Sequence, residues 1–176
     1  MKPRFFPALV RAFILLALAI AVRAETPPNL VEWRPGLASS AQPDKDFLRS
    51  LHDLHYDVLI NLAPPQSMGS LADEGGIVAS RGVVYVNIPV DFAKPAAEDF
   101  RQFSEIMKAN RDKKVFVHCQ ANLRGTSFVF LYRVLHEGAS QGEAGAKLGS
   151  VWVPNAVWKR FIEETLVANG TKAELF

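Results

Sequence analysis

Val115-Phe116-Val117-His118-Cys119-Gln120-Ala121-Asn122-Leu123-Arg124-Gly125-Thr126 is the stretch on which the fold and the chemistry of this chain turn. An apolar, β-branched run ends in His-Cys. A short loop follows, then Arg124, then Gly125 and Thr126 opening a long apolar segment. The pattern predicts a strand that delivers Cys119 at its carboxyl end, facing the amino end of a helix. Amides at a helix start point at whatever the loop encloses, and the helix dipole favours negative charge there. The same field stabilises a thiolate, which makes Cys119 a competent nucleophile. Arg124 offers a planar guanidinium able to hold an oxyanion through two parallel hydrogen bonds. Gln120, Ala121, Asn122, Leu123 and Gly125 supply the amides of an anion pocket, and Asn122 tolerates the left-handed backbone that a tight nest needs.

Working outward, strands and helices alternate. Strands are expected at Gly36 to Ser40, Tyr56 to Leu62, Val83 to Ile88 and Lys114 to His118. Helices are expected at Asp44 to His55 with Asp44 as N-cap, Ser70 to Ser80, Pro95 to Asn110, Gly125 to Glu137, Ser140 to Leu148 and Pro154 to Ala168. The helix after Arg124 is apolar nearly all round and should be central. Alternation of this kind predicts a three-layer α/β/α domain with a mostly parallel sheet of four to five strands. Ligands in such sheets sit at the carboxyl ends of strands. Asp91 follows one such end and Cys119 another, which makes Asp91 the candidate general acid of the same site.

The first 24 residues stand apart. Lys2, Arg4 and Arg11 precede an apolar run of eleven, Ala12 to Val22, and Val22-Arg23-Ala24 places small residues at a cleavage position. This reads as a signal peptide cut after Ala24, with export to the periplasm or beyond. Eleven apolar residues fall short of the ~20 that span a bilayer, so no stable membrane insertion is expected after cleavage. Glu25 to Pro35 is proline-rich and reads as a surface arm, with a single domain over 36–176. The full chain carries +2; without the four basic residues of its leader it carries −2. That balance, and the lack of a basic stripe with interleaved aromatics, speaks against nucleic acid as a partner. Cys119 is the one cysteine, so no internal disulfide forms. His52, Asp53 and His55 are close in sequence but lack converging ligands, so neither metal nor other cofactor is expected. Nothing in the sequence sets the oligomeric state.

The Cys119-to-Thr126 loop resembles the signature of cysteine-dependent tyrosine and dual-specificity phosphatases, in particular the small bacterial tyrosine-phosphatase-like proteins. Ser40-Ala41-Gln42-Pro43, Val58-Leu59-Ile60-Asn61-Leu62 and Tyr85-Val86-Asn87-Ile88-Pro89-Val90-Asp91 extend the resemblance over roughly Leu37 to Leu166. It implies a phosphocysteine on Cys119, phosphate oxygens held by Arg124 and the loop amides, and protonation of the leaving oxygen by Asp91. His118 would support the loop from behind, and Thr126 would donate to the Cys119 sulfur or to nearby backbone. The substrate would be a phosphorylated protein or a small phosphoester. One departure stands out: four residues separate Cys119 from Arg124, where the phosphatase signature has five. Four is the loop size of rhodanese-type sulfurtransferases. Two alternatives therefore stand beside phosphoester hydrolysis: sulfur transfer through a persulfide on Cys119, and a non-catalytic phosphate-binding module.

Overall fold

A computed structural model describes residues 25–174; the expected signal peptide lies outside them. Five strands form one sheet: β1 (Val31–Arg34), β2 (Leu37–Ser40), β3 (Val58–Asn61), β4 (Val84–Asn87) and β5 (Val115–His118). Their order across the sheet is β1-β2-β5-β3-β4. β2, β5, β3 and β4 run parallel, and β1 joins antiparallel at the edge. Six helices complete the domain: α1 (Lys45–Ser50), α2 (Glu74–Ala79), α3 (Ala97–Ala109), α4 (Leu123–His136), α5 (Gln141–Gly149) and α6 (Ala156–Ala168).

The two faces of the sheet are covered unequally. Side chains alternate along a strand, so Val115 and Val117 face one side while Phe116 faces the other. α3 to α6 cover the first side around Phe128, whose ring meets Phe100, Phe103, Trp158 and Phe161. Each such buried side chain contributes roughly 1.5–3 kcal/mol relative to exposure. α1 and α2 cover the second side with Phe47, Leu48, Leu51 and Val78. α4 is buried from Arg124 through Tyr132, as its all-round apolarity predicts. Asp44 caps α1, its carboxylate accepting from the Phe47 amide at 2.7 Å.

The arm expected at Glu25 to Pro35 is corrected over its second half. Val31–Arg34 is a strand, with Val31 and Trp33 buried and Glu32 exposed. Pro35-Gly36 forms the turn into β2, with Gly36 at φ 78°. The Trp33 indole donates to Ser39 Oγ at 2.9 Å. Four alternating residues between two proline-containing turns are too short a signal to stand out locally; pairing with β2 makes the strand.

The parallel register aligns the strand ends. Ser40 and Asn61 both pair with His118, and Asn87 pairs with Asn61. The segments leaving β2, β3, β4 and β5 therefore emerge along one edge of the sheet, where the site is built.

Candidate active site

Cys119 continues the apolar face of β5 and is fully buried. It lines a cavity of about 230 Å³ with Phe92, Gln120, Ala121, Leu123 and Arg124. The loop that turns from strand to helix is held from outside. The Gln42 amide donates to the Gln120 carbonyl at 3.3 Å. Asn29 Nδ2 donates to the Ala121 carbonyl at 3.1 Å. The Thr126 amide donates to the Asn122 carbonyl at 2.9 Å. Asn122 takes φ 67°, the left-handed conformation, at the N-cap of α4. Its side chain lies over Gly125: a Cβ there would come within 2.4 Å of Asn122 Oδ1, so a larger residue would push the Asn122 side chain aside.

The antiparallel bridge between Ala41 and Ala121 turns the Asn122 amide toward the Ser40 carbonyl, while among the described residues none of the amides of Gln120, Ala121, Leu123, Arg124 and Gly125 donates to a protein acceptor. Unpaired amides at a helix start are a general feature. Here they come from a tight loop wrapped over a cysteine, and the helix dipole adds positive potential.

Arg124 is 8% exposed, and its charge is held from the loop after β4. Nε donates to the Val90 carbonyl at 2.9 Å, and the guanidinium carbon sits 5.1 Å from the Phe92 ring centroid. Neither terminal nitrogen meets an acceptor among the described residues, so both remain for a bidentate contact. Phe92 is fixed in turn. Its carbonyl accepts from the Trp158 indole at 2.9 Å, and its ring packs against Trp152 and Trp158. Val90 and Phe92 are site residues that sequence reasoning missed; their position beside Asp91 was the available signal.

Asp91 lies between them but is exposed. Its carboxylate accepts from the Ala93 amide at 2.8 Å and does not line the cavity over Cys119. The structure thus brings Asp91's backbone neighbours to Arg124, while its carboxylate stands outside the cavity.

His118 points to the opposite face of the sheet from Cys119, away from the cavity. Its Nε2 lies 2.5 Å from Glu74 Oε1, with both side chains buried. Neither ring nitrogen of His118 makes a hydrogen bond among the described residues. Glu74 Oε2 accepts from Gln42 Nε2 at 3.2 Å and from Asn61 Nδ2 at 3.4 Å. Asn61 Nδ2 also reaches the Tyr85 hydroxyl, a phenol whose pKa burial pushes up. This buried cluster props the strand ends under the loop. Glu74 is another residue that sequence reasoning missed, because nothing local distinguishes it from an exposed helix-start glutamate.

Thr126 differs from the sulfur-donating alternative. Its hydroxyl sits 2.8 Å from the Asn122 carbonyl and 3.2 Å from that of Leu123, and meets no sulfur. A threonine in the first helical turn finds those carbonyls first because they are covalently close.

Beside the cavity, Gln120 and Ala121 also line a wider groove with Gln42, Pro43, Asp44, Met68, Gly69 and Leu71.

No protein-family profile matches the chain. No curated protein matches it either. Solved structures do. A DUF442 protein of Shewanella putrefaciens CN-32, provisionally named a phosphatase, is 30% identical, with a TM-score of 0.74 over 81% of this chain and 94% of that one. The chain belongs to the DUF442 family. More distant solved structures share the fold. The catalytic core of SIW14, a PP-IP phosphatase of S. cerevisiae, is 15% identical, with a TM-score of 0.67 over 84% of this chain and 96% of that one. PTPMT1, solved with PI(5)P, is 17% identical, with a TM-score of 0.69 over 80% and 96%.

Proposed function

We propose that this DUF442 chain is an exported cysteine-dependent phosphatase that hydrolyses phosphate monoesters of proteins or small molecules through a phosphocysteine. The observation that carries the proposal is the set of unpaired amides at Gln120, Ala121, Leu123, Arg124 and Gly125, with both terminal nitrogens of Arg124 free beside them, in a loop that lines one cavity with Cys119. Phosphoryl transfer places charge on three equatorial oxygens in the transition state. Fixed donors aimed at such charge need no reorganisation when it develops.

The Cys119 thiolate attacks phosphorus in line, forming S–P as the ester P–O bond breaks. Asp91 delivers the proton to the departing alkoxide or phenoxide. The carboxylate so formed then takes a proton from water, which attacks phosphorus, breaks S–P and releases inorganic phosphate. The loop after β4 couples the two jobs: Val90 and Phe92 hold Arg124 while Asp91 stands between them. The neighbouring groove receives the alcohol portion of the substrate.

Mature protein beginning at Glu25 is expected to release phosphate from an aryl phosphate, and Cys119→Ser is expected to abolish the release. Trapping of the intermediate by intact mass, seen in wild type and lost in Cys119→Ser, identifies the nucleophile. Persulfide formation with thiosulfate in place of phosphate release would instead establish sulfur transfer. Phosphate binding without turnover would establish a non-catalytic module. Export is checked by the mass of the periplasmic or secreted protein, expected to begin after Ala24.

A further inference from the structure

The cavity at Cys119 and the wider groove beside it share Gln120 and Ala121, so the two spaces form one continuous site. An ester seated by its phosphoryl group next to Arg124 has the groove to hold the rest of the molecule. Charge limits what that rest can be. Among the residues lining the two spaces, Arg124 is the one cation and Asp44 the one carboxylate. A second phosphate on the same substrate would meet a carboxylate in the groove and no cation, and like charges at close range repel. Gln42 is engaged elsewhere: its side-chain amide donates to the Pro43 carbonyl at 3.3 Å and to Glu74 Oε2 at 3.2 Å.

The groove also carries Met68, on the segment that leaves β3, and its side chain is 81% exposed. Single exposed apolar side chains are ordinary. Met68 differs in lining a groove joined to the cavity, and in having a fixed backbone under a free side chain. The Ser67 amide donates to the Pro64 carbonyl at 2.9 Å, and the Ser70 amide to the Ser67 carbonyl at 3.0 Å. The Ser70 hydroxyl donates to the Pro65 carbonyl at 2.6 Å. Gly69, at φ 83°, supplies the left-handed step that closes this turn directly after Met68. A thioether on an unbranched chain adapts to irregular apolar shapes. Pro43 and Leu71 line the same groove.

The geometry points to Met68 as a specificity residue: with Pro43 and Leu71 it selects phosphate esters of uncharged, apolar alcohols over esters that carry further phosphates. The inference rests on the phosphatase reading in that a phosphoryl group occupies the cavity at Cys119.

The test measures binding without turnover, because the C–P bond of a phosphonate is not hydrolysed. Methylphosphonate, 2-naphthylmethylphosphonate and inositol hexakisphosphate are titrated calorimetrically into the mature protein at physiological salt. The naphthyl compound is expected to bind about tenfold tighter than methylphosphonate, which is what burying ~55 Å² of apolar surface is worth. Inositol hexakisphosphate is expected to bind no tighter than methylphosphonate. Met68→Ala should cut the naphthyl preference about threefold and leave methylphosphonate within twofold; Met68→Lys should cut it as well and strengthen inositol hexakisphosphate. The melting temperature should hold in both variants, since the side chain is exposed. The same aryl phosphonate carried as a side chain of a neutral pentapeptide separates the two sources of such an alcohol: tighter binding than the free aryl compound assigns a protein, equal binding a small ester. A naphthyl preference below twofold in wild type, or one that Met68→Ala leaves unchanged, would overturn the inference. So would tenfold tighter binding of inositol hexakisphosphate to wild type. Wild type that binds no phosphonate would overturn the anion-pocket reading and this inference with it. Wild type that binds them in the expected order but hydrolyses no ester removes the phosphatase proposal alone and leaves Met68 as the residue that selects the ligand.

Discussion

The loops that leave β5 and β4 meet at Arg124, yet they are built by different physics. The β5 loop is half-buried, left-handed at Asn122, and bonded through three successive carbonyls. Its amides are rigid donors, suited to charge that appears in a transition state. The β4 loop contributes a carbonyl from Val90 and a ring from Phe92, both anchored, and leaves Asp91 exposed between them. A preorganised electrostatic site must not move, whereas a proton donor has to reach a leaving group whose position varies with the substrate. The contrast teaches that one cavity can join a fixed wall to an outward-facing acid, provided the residues flanking the acid are tied to the wall.

Substitutions separate the two loops. Cys119→Ser should remove turnover entirely, while Arg124→Lys, which keeps charge but loses the planar fork, should lower kcat/KM by roughly 10²–10³-fold. Steady-state rates on an aryl phosphate check both; a lysine variant within a few-fold of wild type would break the assignment of the fixed wall.

Asp91→Ala should cost roughly 10²–10⁴-fold on an alkyl phosphate, the usual range for a general acid. It should cost far less on a phosphate with an acidic phenol as leaving group, which departs without a proton. Equal losses on both esters would show that Asp91 does not protonate the leaving oxygen. Because Asp91 is exposed, the same variant should change unfolding free energy by less than about 0.5 kcal/mol.

Glu74→Ala tests the support beneath the β5 loop. Removing the Glu74 carboxylate leaves the buried His118 ring and Asn61 amide without their polar neighbour, at a cost of about 1–3 kcal/mol. Urea unfolding should register that loss, and Glu74→Gln, which keeps the shape, should lose less. An unchanged midpoint for Glu74→Ala would show that His118 is held by packing alone.

The smallest expected effect tests the link between the loops. A double-mutant cycle on phosphate affinity, combining Phe92→Leu with Arg124→Lys, should return a coupling of roughly 0.5–2 kcal/mol, the range for a cation–π contact. A coupling near zero would leave Val90 O as the only tie between the loops.

Much of this was legible along the chain. Asp44 reads as an N-cap and is one. The apolar α4 reads as central and is buried from Arg124 to Tyr132. Asn122 reads as a residue able to turn left-handed, and it does. α2 is shorter than its expected Ser70 to Ser80: it spans Glu74–Ala79, with Gly75-Gly76 inside it. β1 escaped detection because its partner, β2, supplies what four residues cannot supply locally. Phe92, Glu74 and Asn29 escaped for a shared reason: each acts on a residue at least 32 positions away.

The amino-acid sequence alone determined a nucleophile at a strand end, an arginine one short loop away and a helix start between them, because strand period, helix period and turn chemistry are properties of neighbours. Only the tertiary structure decided which way the loop's peptides face, what holds Arg124 and where the Asp91 carboxylate stands. Those depend on donors and rings brought together by the sheet order β1-β2-β5-β3-β4, and contacts between distant segments leave no periodic trace in either one.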